Sequence, residues 1–165
     1  MNPIKENSLA TRCSGFSLIE VLVALLVLSI GLLGLAALQT TSLQFNTASY
    51  FRTQATLLAY DIVDRMRANP TGVSDGNYDV ASASAAATAK SATASCGTAS
   101  CITSDLAKYD LGQWYTKMEA TLPGSTSPTT NYALISRDTA TNVVTITINW
   151  VEKDLKMGQT WQVQL

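Results

Sequence analysis

Ser14-Gly15-Phe16-Ser17-Leu18-Ile19-Glu20-Val21 combines a small residue, a new start and a carboxylate within eight positions of a 165-residue chain. Glu20 opens a long apolar run, and a carboxylate there needs a reason. An acidic side chain at the centre of a membrane helix costs about 3 kcal/mol, and less near an end. In one reading Glu20 lies at headgroup level, where water relieves its charge. The sharper reading joins it to Gly15. Cleavage between Gly15 and Phe16 creates an ammonium one helical turn before Glu20. That ammonium, on the same or a neighbouring subunit, neutralises the carboxylate inside an apolar assembly.

Other reactive types are few. There is no histidine, which removes the commonest general base and the commonest metal ligand. Serine-rich stretches are not nucleophiles without a base, so no catalytic constellation, enzymatic activity or cofactor is expected. Asp75-Gly-Asn77-Tyr-Asp79 opens like a calcium loop, but Val80 stands where that loop needs glycine and Ala86 where it needs an acid. An ordinary Asp-Gly turn is the better reading, and no metal is expected. Net charge is −1, and Lys and Arg form no cluster, which argues against nucleic-acid contact. Cys13 precedes the apolar run, while Cys96 and Cys101 follow it. If the chain crosses a membrane once, the latter pair is on the side where a disulfide forms and Cys13 stays reduced.

The elements that position these residues follow from periodicity. Residues 1–15 are a polar segment with Lys5, Glu6 and Arg12. Phe16 to Leu38 would span roughly 35 Å as a helix, enough for a bilayer core of about 30 Å. Lys5 and Arg12 lie before it, so the N-terminus is expected in the cytoplasm and the remainder outside. Residues 39–69 lack Pro and Gly and become amphipathic. Ala55, Leu58, Ile62 and Met66 form one stripe, Asp61 precedes Arg65 by one turn, and Asn69-Pro70 supplies a stop. One helix is therefore expected from about Phe16 to Ala68, its first half lipid-soluble and its second half packed on a globular domain of residues 70–165.

In that domain, residues 71–80 carry turn signals. Residues 81–95 are Ala, Ser or Thr except for Lys90, and suit a loop or a loosely held helix. A short helix is expected from Asp105 to Leu122, capped by Ser104 or Asp105 and ended by Pro123-Gly124. Tyr132–Ser136, Val143–Trp150 and Thr160–Leu165 read as strands, the middle one alternating with period 2. Trp114, Tyr115, Trp150 and Trp161 read as core and interface residues. The fold class is α+β, a long N-terminal helix on a small antiparallel sheet with a short second helix.

The block around Gly15 resembles the leader of type IV prepilins and type II secretion pseudopilins. The resemblance implies that a prepilin peptidase cuts after Gly15, that Phe16 becomes the N-methylated terminus, and that Glu20 is the assembly glutamate. Leu32-Leu-Gly-Leu-Ala-Ala-Leu-Gln39, the stretch from Ala59 to Pro70, Cys96–Cys101 leading into Asp105-Leu106, and Thr145–Trp150 resemble the type IV pilus modification family PilV. These are minor pilins that initiate, prime or tip the filament. The implied partners are other minor pilins, the major pilin, an inner-membrane assembly platform, the prepilin peptidase and, by family analogy, a tip adhesin. The implied location is the inner membrane with a periplasmic head, then the pilus. Ala37 stands where many major pilins carry a helix-breaking proline, although Gly31 and Gly34 weaken the helix nearby. No cysteine follows Cys101, unlike the C-terminal cysteine pair of many major pilins. Two other classes fit the same entry block in part: a type II secretion minor pseudopilin, and a single-pass periplasmic sensor or binding domain that keeps its leader.

Overall fold

The structure is a computed structural model and describes residues 15–91, 96, 101–124 and 133–165. The leader up to Ser14, with Cys13, and the Tyr132 start of the first expected strand lie outside the described residues. The chain divides into two compact units, 1–44 and 45–165.

Helix α1 runs over Leu18–Ala68, and α2 over Pro70–Ser74. Helices α3, Ala83–Lys90, and α4, Thr103–Thr121, follow. Strands β1, Leu134–Asp138, β2, Val143–Glu152, and β3, Leu155–Gln164, complete the fold. The sheet is an antiparallel meander in the order β1-β2-β3.

In the first unit α1 is continuous through Gly31, Gly34 and Ala37. Hydroxyls that lack a partner in an apolar setting turn back onto the helix. Ser29 Oγ donates to the Leu25 carbonyl at 2.7 Å, and Thr40 and Thr41 donate to the Ala36 and Ala37 carbonyls at 3.0 and 3.1 Å. Such bonds let polar residues sit in a lipid-facing helix without an unmet donor.

The second unit has one core. The stripe Ala55, Leu58, Ile62 and Met66 is buried, widened by Ala59 and Val63. Helix α4 turns Ala107, Leu111, Trp114, Tyr115 and Met118 inward, the spacing of one helix face. Strand β2 contributes Val144, Ile146, Ile148 and Trp150, every second residue. Trp114 Nε1 donates to the Leu58 carbonyl at 2.8 Å, and Tyr115 Oη to the Ala133 carbonyl at 2.7 Å. Both rings thus bury their apolar area with the polar handle satisfied. Trp161 is only partly buried at the core margin.

Three local expectations are corrected and one open alternative is decided. Pro70 does end α1, but it also opens α2, where only turns were expected. Its missing N–H costs nothing at a first helical position, and Asn69 Oδ1 accepts from Gly72 N at 3.2 Å as a cap. Of the two alternatives for the Ala/Ser/Thr run, the helix is found over Ala83–Lys90 as α3, with Ser82 Oγ accepting from Ala85 N at 3.2 Å and Ala86 buried. Alanine pays almost no side-chain entropy in a helix, so the small contact made by Ala86, with Ala85 and Ala89 partly buried beside it, docks the segment. Helix α4 begins two residues before Asp105. Its N-cap is Ile102 with no side-chain cap, and Asp105 pairs with Lys108 at 3.1 Å instead. Finally, β3 starts at Leu155 rather than Thr160. Lys153 and Asp154 both have positive φ, 49° and 65°, and close a two-residue turn whose twist matches the strands.

Candidate assembly site

Gly15 and Phe16 precede α1, and Glu20 sits in its first turn. Glu20 N donates to the Ser17 carbonyl at 3.0 Å and Val21 N to the same oxygen at 3.3 Å, which starts the helix. The unpaired N–H groups of this turn carry partial positive charge, a favourable place for a carboxylate. A Cβ built on Gly15 meets nothing within 4 Å, so the fold imposes no glycine there. Phe16 is 84% exposed. Phe16, Glu20, Val21, Ala24, Leu25 and Leu28 line one shallow groove along the helix, of about 430 Å³. Glu20, Ala24 and Leu28 recur at i, i+4 on one face of α1, and Phe16, just ahead of the helix, lines the same groove.

Around this face the helix is apolar on all sides. Leu22, Leu26, Ile30, Leu33 and Leu38 are all more than half exposed. A helix apolar all round is stable only in lipid or among other helices. It is long and apolar enough to cross a membrane.

The cysteine pair lies in the other unit. Cys96 and Cys101 stand at disulfide distance, with Cα atoms 5.5 Å apart, immediately before α4. Among the described residues no group of His, Cys, Asp or Glu is arranged to hold a metal. Asp75, Gly76, Asn77 and Tyr78 form turns, with Gly76 at φ +75°. Burial raises the Asp79 carboxyl, against the opposing pull of Arg137.

The expected Asp61–Arg65 pair is present, but sequence reasoning missed the polar cluster around Asp110 into which it leads. Asp110 is nearly buried, on the apolar face of α4. Arg65 Nη1 donates to its Oδ1 at 3.1 Å, and Tyr78 Oη donates to its Oδ2 at 2.6 Å. Asn69 Nδ2 donates to Tyr78 Oη at 3.3 Å and to the Thr103 carbonyl at 2.8 Å. Arg65 Nε also reaches Asp61 at 3.3 Å, and Lys117 reaches the other Asp61 oxygen at 3.2 Å. Burial works against the Arg65 charge, but Asp61 and Asp110 outweigh it and hold its pKa above the ordinary value. Burial first, and then the hydrogen bond to Asp110, pushes the Tyr78 phenol up. One signal was available: Asp110 shares a helix face with Ala107, Leu111 and Trp114, and a carboxylate there must be paired.

Residues 10–36 match the prokaryotic N-terminal methylation motif, and residues 37–112 match the family Type IV pilin Tt1218. Just under half of the chain is thus similar to a type IV pilin domain, and the segment before it to a methylation motif. No curated protein and no solved structure matches the chain. The segment that matches the methylation motif contains Gly15, Phe16 and Glu20, and the apolar helix fits a membrane anchor. Type IV pilins are structural proteins that assemble with other pilins and with pilus machinery. The two matched segments meet inside α1 and end within α4. The sheet lies beyond both, and the long N-terminal helix with a small antiparallel sheet is consistent with the type IV pilin fold.

Proposed function

We propose that this chain is a minor subunit that initiates, primes or tips a type IV pilus, most similar to the PilV modification proteins. Prepilin peptidase removes residues 1–15 and methylates the amine of Phe16. Residues 16–38 anchor the subunit in the inner membrane and then pack among other helices. Residues 39–69 continue the helix, and residues 70–165 are the periplasmic head. Lys5 and Arg12 keep the leader cytoplasmic. The observation that carries this reading is the placement of Phe16 and Glu20 in one groove, at the start of a helix apolar all round. Glu20 pairs with the Phe16 ammonium of a neighbouring subunit, and neutralising two charges together is what lets them enter an apolar bundle.

Minor rank is supported by the head. No cysteine follows Cys101, and β3 is held by β2 along ten residues rather than by a C-terminal disulfide loop. The Cys96–Cys101 bond, formed in the periplasm, fixes the chain ahead of α4. The immediate partners are other minor pilins, the major pilin and the inner-membrane assembly platform.

N-terminal sequencing of the membrane-extracted protein tests the processing step and is expected to begin at methylated Phe16. A mature chain starting at Met1 overturns it. Deleting the gene is expected to reduce surface pili while the major pilin accumulates in the inner membrane. Intact piliation with a secretion defect assigns the chain to the pseudopilins instead. Filaments made mainly of this chain leave the pilin reading but overturn the minor rank.

A further inference from the structure

A pocket of about 570 Å³ opens in the second unit, where α1 gives way to α2 beside the β1–β2 turn and the end of β3. That volume lies within the roughly 300–1,000 Å³ of ligand sites. Met66, Pro70 and Val73 give it apolar walls, and Arg67, Arg137 and Asn142 give it polar ones. Arg137 is oriented by neutral acceptors. Its Nη2 donates to the Ser74 carbonyl at 2.6 Å and its Nη1 to Asn142 Oδ1 at 3.4 Å. Its Nε is buried and finds no acceptor among the described residues. No salt bridge among those residues includes Arg137. The carboxylates nearby are engaged elsewhere. Asp79 accepts the Arg137 backbone N–H, and burial works against its charge. Asp138 accepts from Ala140 N at 2.9 Å and from Thr141 Oγ1 at 2.8 Å. Leu165 also lines the pocket, and its carboxylate makes no salt bridge with either arginine. Arg67 has Asp64 at 3.2 Å, but both side chains are more than half exposed, and such a surface pair holds little.

We infer that this pocket receives an aspartate or glutamate side chain, with an apolar residue beside it, from a different subunit of the pilus. This rests on the pilin reading above. A guanidinium matches a carboxylate in charge and in the geometry of its fork, and pairing satisfies a cation that neutral acceptors only orient. The volume exceeds one carboxylate, and Met66, Pro70 and Val73 cover the apolar neighbour. The chain does not supply the acid itself. Segments 92–95, 97–100 and 125–132, outside the described residues, contain no Asp or Glu. Glu6 leaves with the leader. A second copy of the chain matches poorly. Asp64 stands beside Arg67, Asp105 beside Lys108, and Asp154 between Lys153 and Lys156, so each would bring a cation towards the two arginines.

The test uses the full chain in piliated cells. Arg137→Glu reverses the fixed cation, and Arg67→Glu reverses an exposed one without touching the core. Incorporation into sheared pili is expected to fall about tenfold for each, with cutting after Gly15 unchanged. A benzophenone side chain at position 71, in the pocket wall, is expected to crosslink to another pilus subunit. Changing an exposed Asp or Glu of that subunit to Lys is expected to restore incorporation of Arg137→Glu, a rescue that lost packing alone does not allow. If Arg137→Glu does not fold, the rescue is sought for Arg67→Glu. Normal incorporation of either variant, a crosslink only within this chain or to a second copy of it, or no rescue at any acidic position overturns the inference. Failure of the wild-type chain to be cut, or its absence from pili, overturns the pilin-subunit reading instead, so the two failures are distinguishable.

Discussion

Two stretches of α1 share one backbone geometry and face opposite requirements. From Val21 to Leu38 the large apolar residues point outward all round the helix, about half or more of each exposed. From Ala55 to Met66 the face made by Ala55, Leu58, Ala59, Ile62, Val63 and Met66 is buried to the last few per cent. The first stretch has no core of its own, so its stability must come from lipid or from neighbouring helices. The second is fixed by its own head, through Trp114, the strand β2 and the Asp110 cluster. A substitution in the first stretch should therefore change assembly and leave the head's stability alone, and one in the second should do the reverse.

The sharpest separation is expected at Glu20. Glu20→Ala removes a charge from the apolar stretch, so insertion and cutting should proceed normally. Incorporation into pili should be lost, because a neighbour's ammonium is left unpaired. Immunoblots of sheared pili against whole membranes read this directly, and wild-type incorporation would break the charge-pair argument.

Next comes a matched pair of truncations. Ile62→Ala opens a cavity beneath the head and is expected to cost about 2–5 kcal/mol. Leu25→Ala removes a similar side chain from the outward-facing stretch and should leave the head's melting transition where it was. Thermal denaturation in detergent, followed by near-ultraviolet dichroism, compares them. Equal destabilisation would show that the two stretches are not energetically separate.

The Asp110 cluster is a smaller test of the same contrast. Tyr78→Phe leaves Asp110 Oδ2 short of one donor and should cost about 1–3 kcal/mol. The native state binds the phenolic proton of Tyr78 more tightly than the unfolded chain does. Its contribution is therefore complete below about pH 10, the ordinary phenol value, and is lost as pH rises above it. The gap between wild type and Tyr78→Phe should narrow above that pH. A constant gap would mean that the phenol contributes only by packing.

The smallest effect is expected at the cysteines. Replacing Cys96 and Cys101 by serine frees a short loop and should cost at most about 2 kcal/mol. Asn69 still holds the Thr103 carbonyl, so α4 should keep its start. Amide exchange at Leu106 and Ala107 would reveal fraying if the disulfide, and not Asn69, anchors that turn.

What could be read in the chain alone was what repeats locally. The Gly15-Phe16-Glu20 spacing, the apolar stretch, the Ala55–Met66 stripe and the alternation of β2 are periodic patterns, and each element follows from its own residues. Helix α3 was half legible, since alanine favours a helix but its docking rests on the packing of Ala85, Ala86 and Ala89 against the core. The Asp110 cluster was not legible, because Arg65 and Tyr78 lie 45 and 32 residues away from it. Whether a carboxylate on an apolar face is satisfied depends on what packs above it. The start of β3 was hidden for a related reason. Leu155, Lys156 and Gly158 have little strand preference, and pairing with a strand already in place overrides it. That Val80 pairs with the β1 edge also follows only from tertiary structure, since it reaches Ile135 across more than fifty residues.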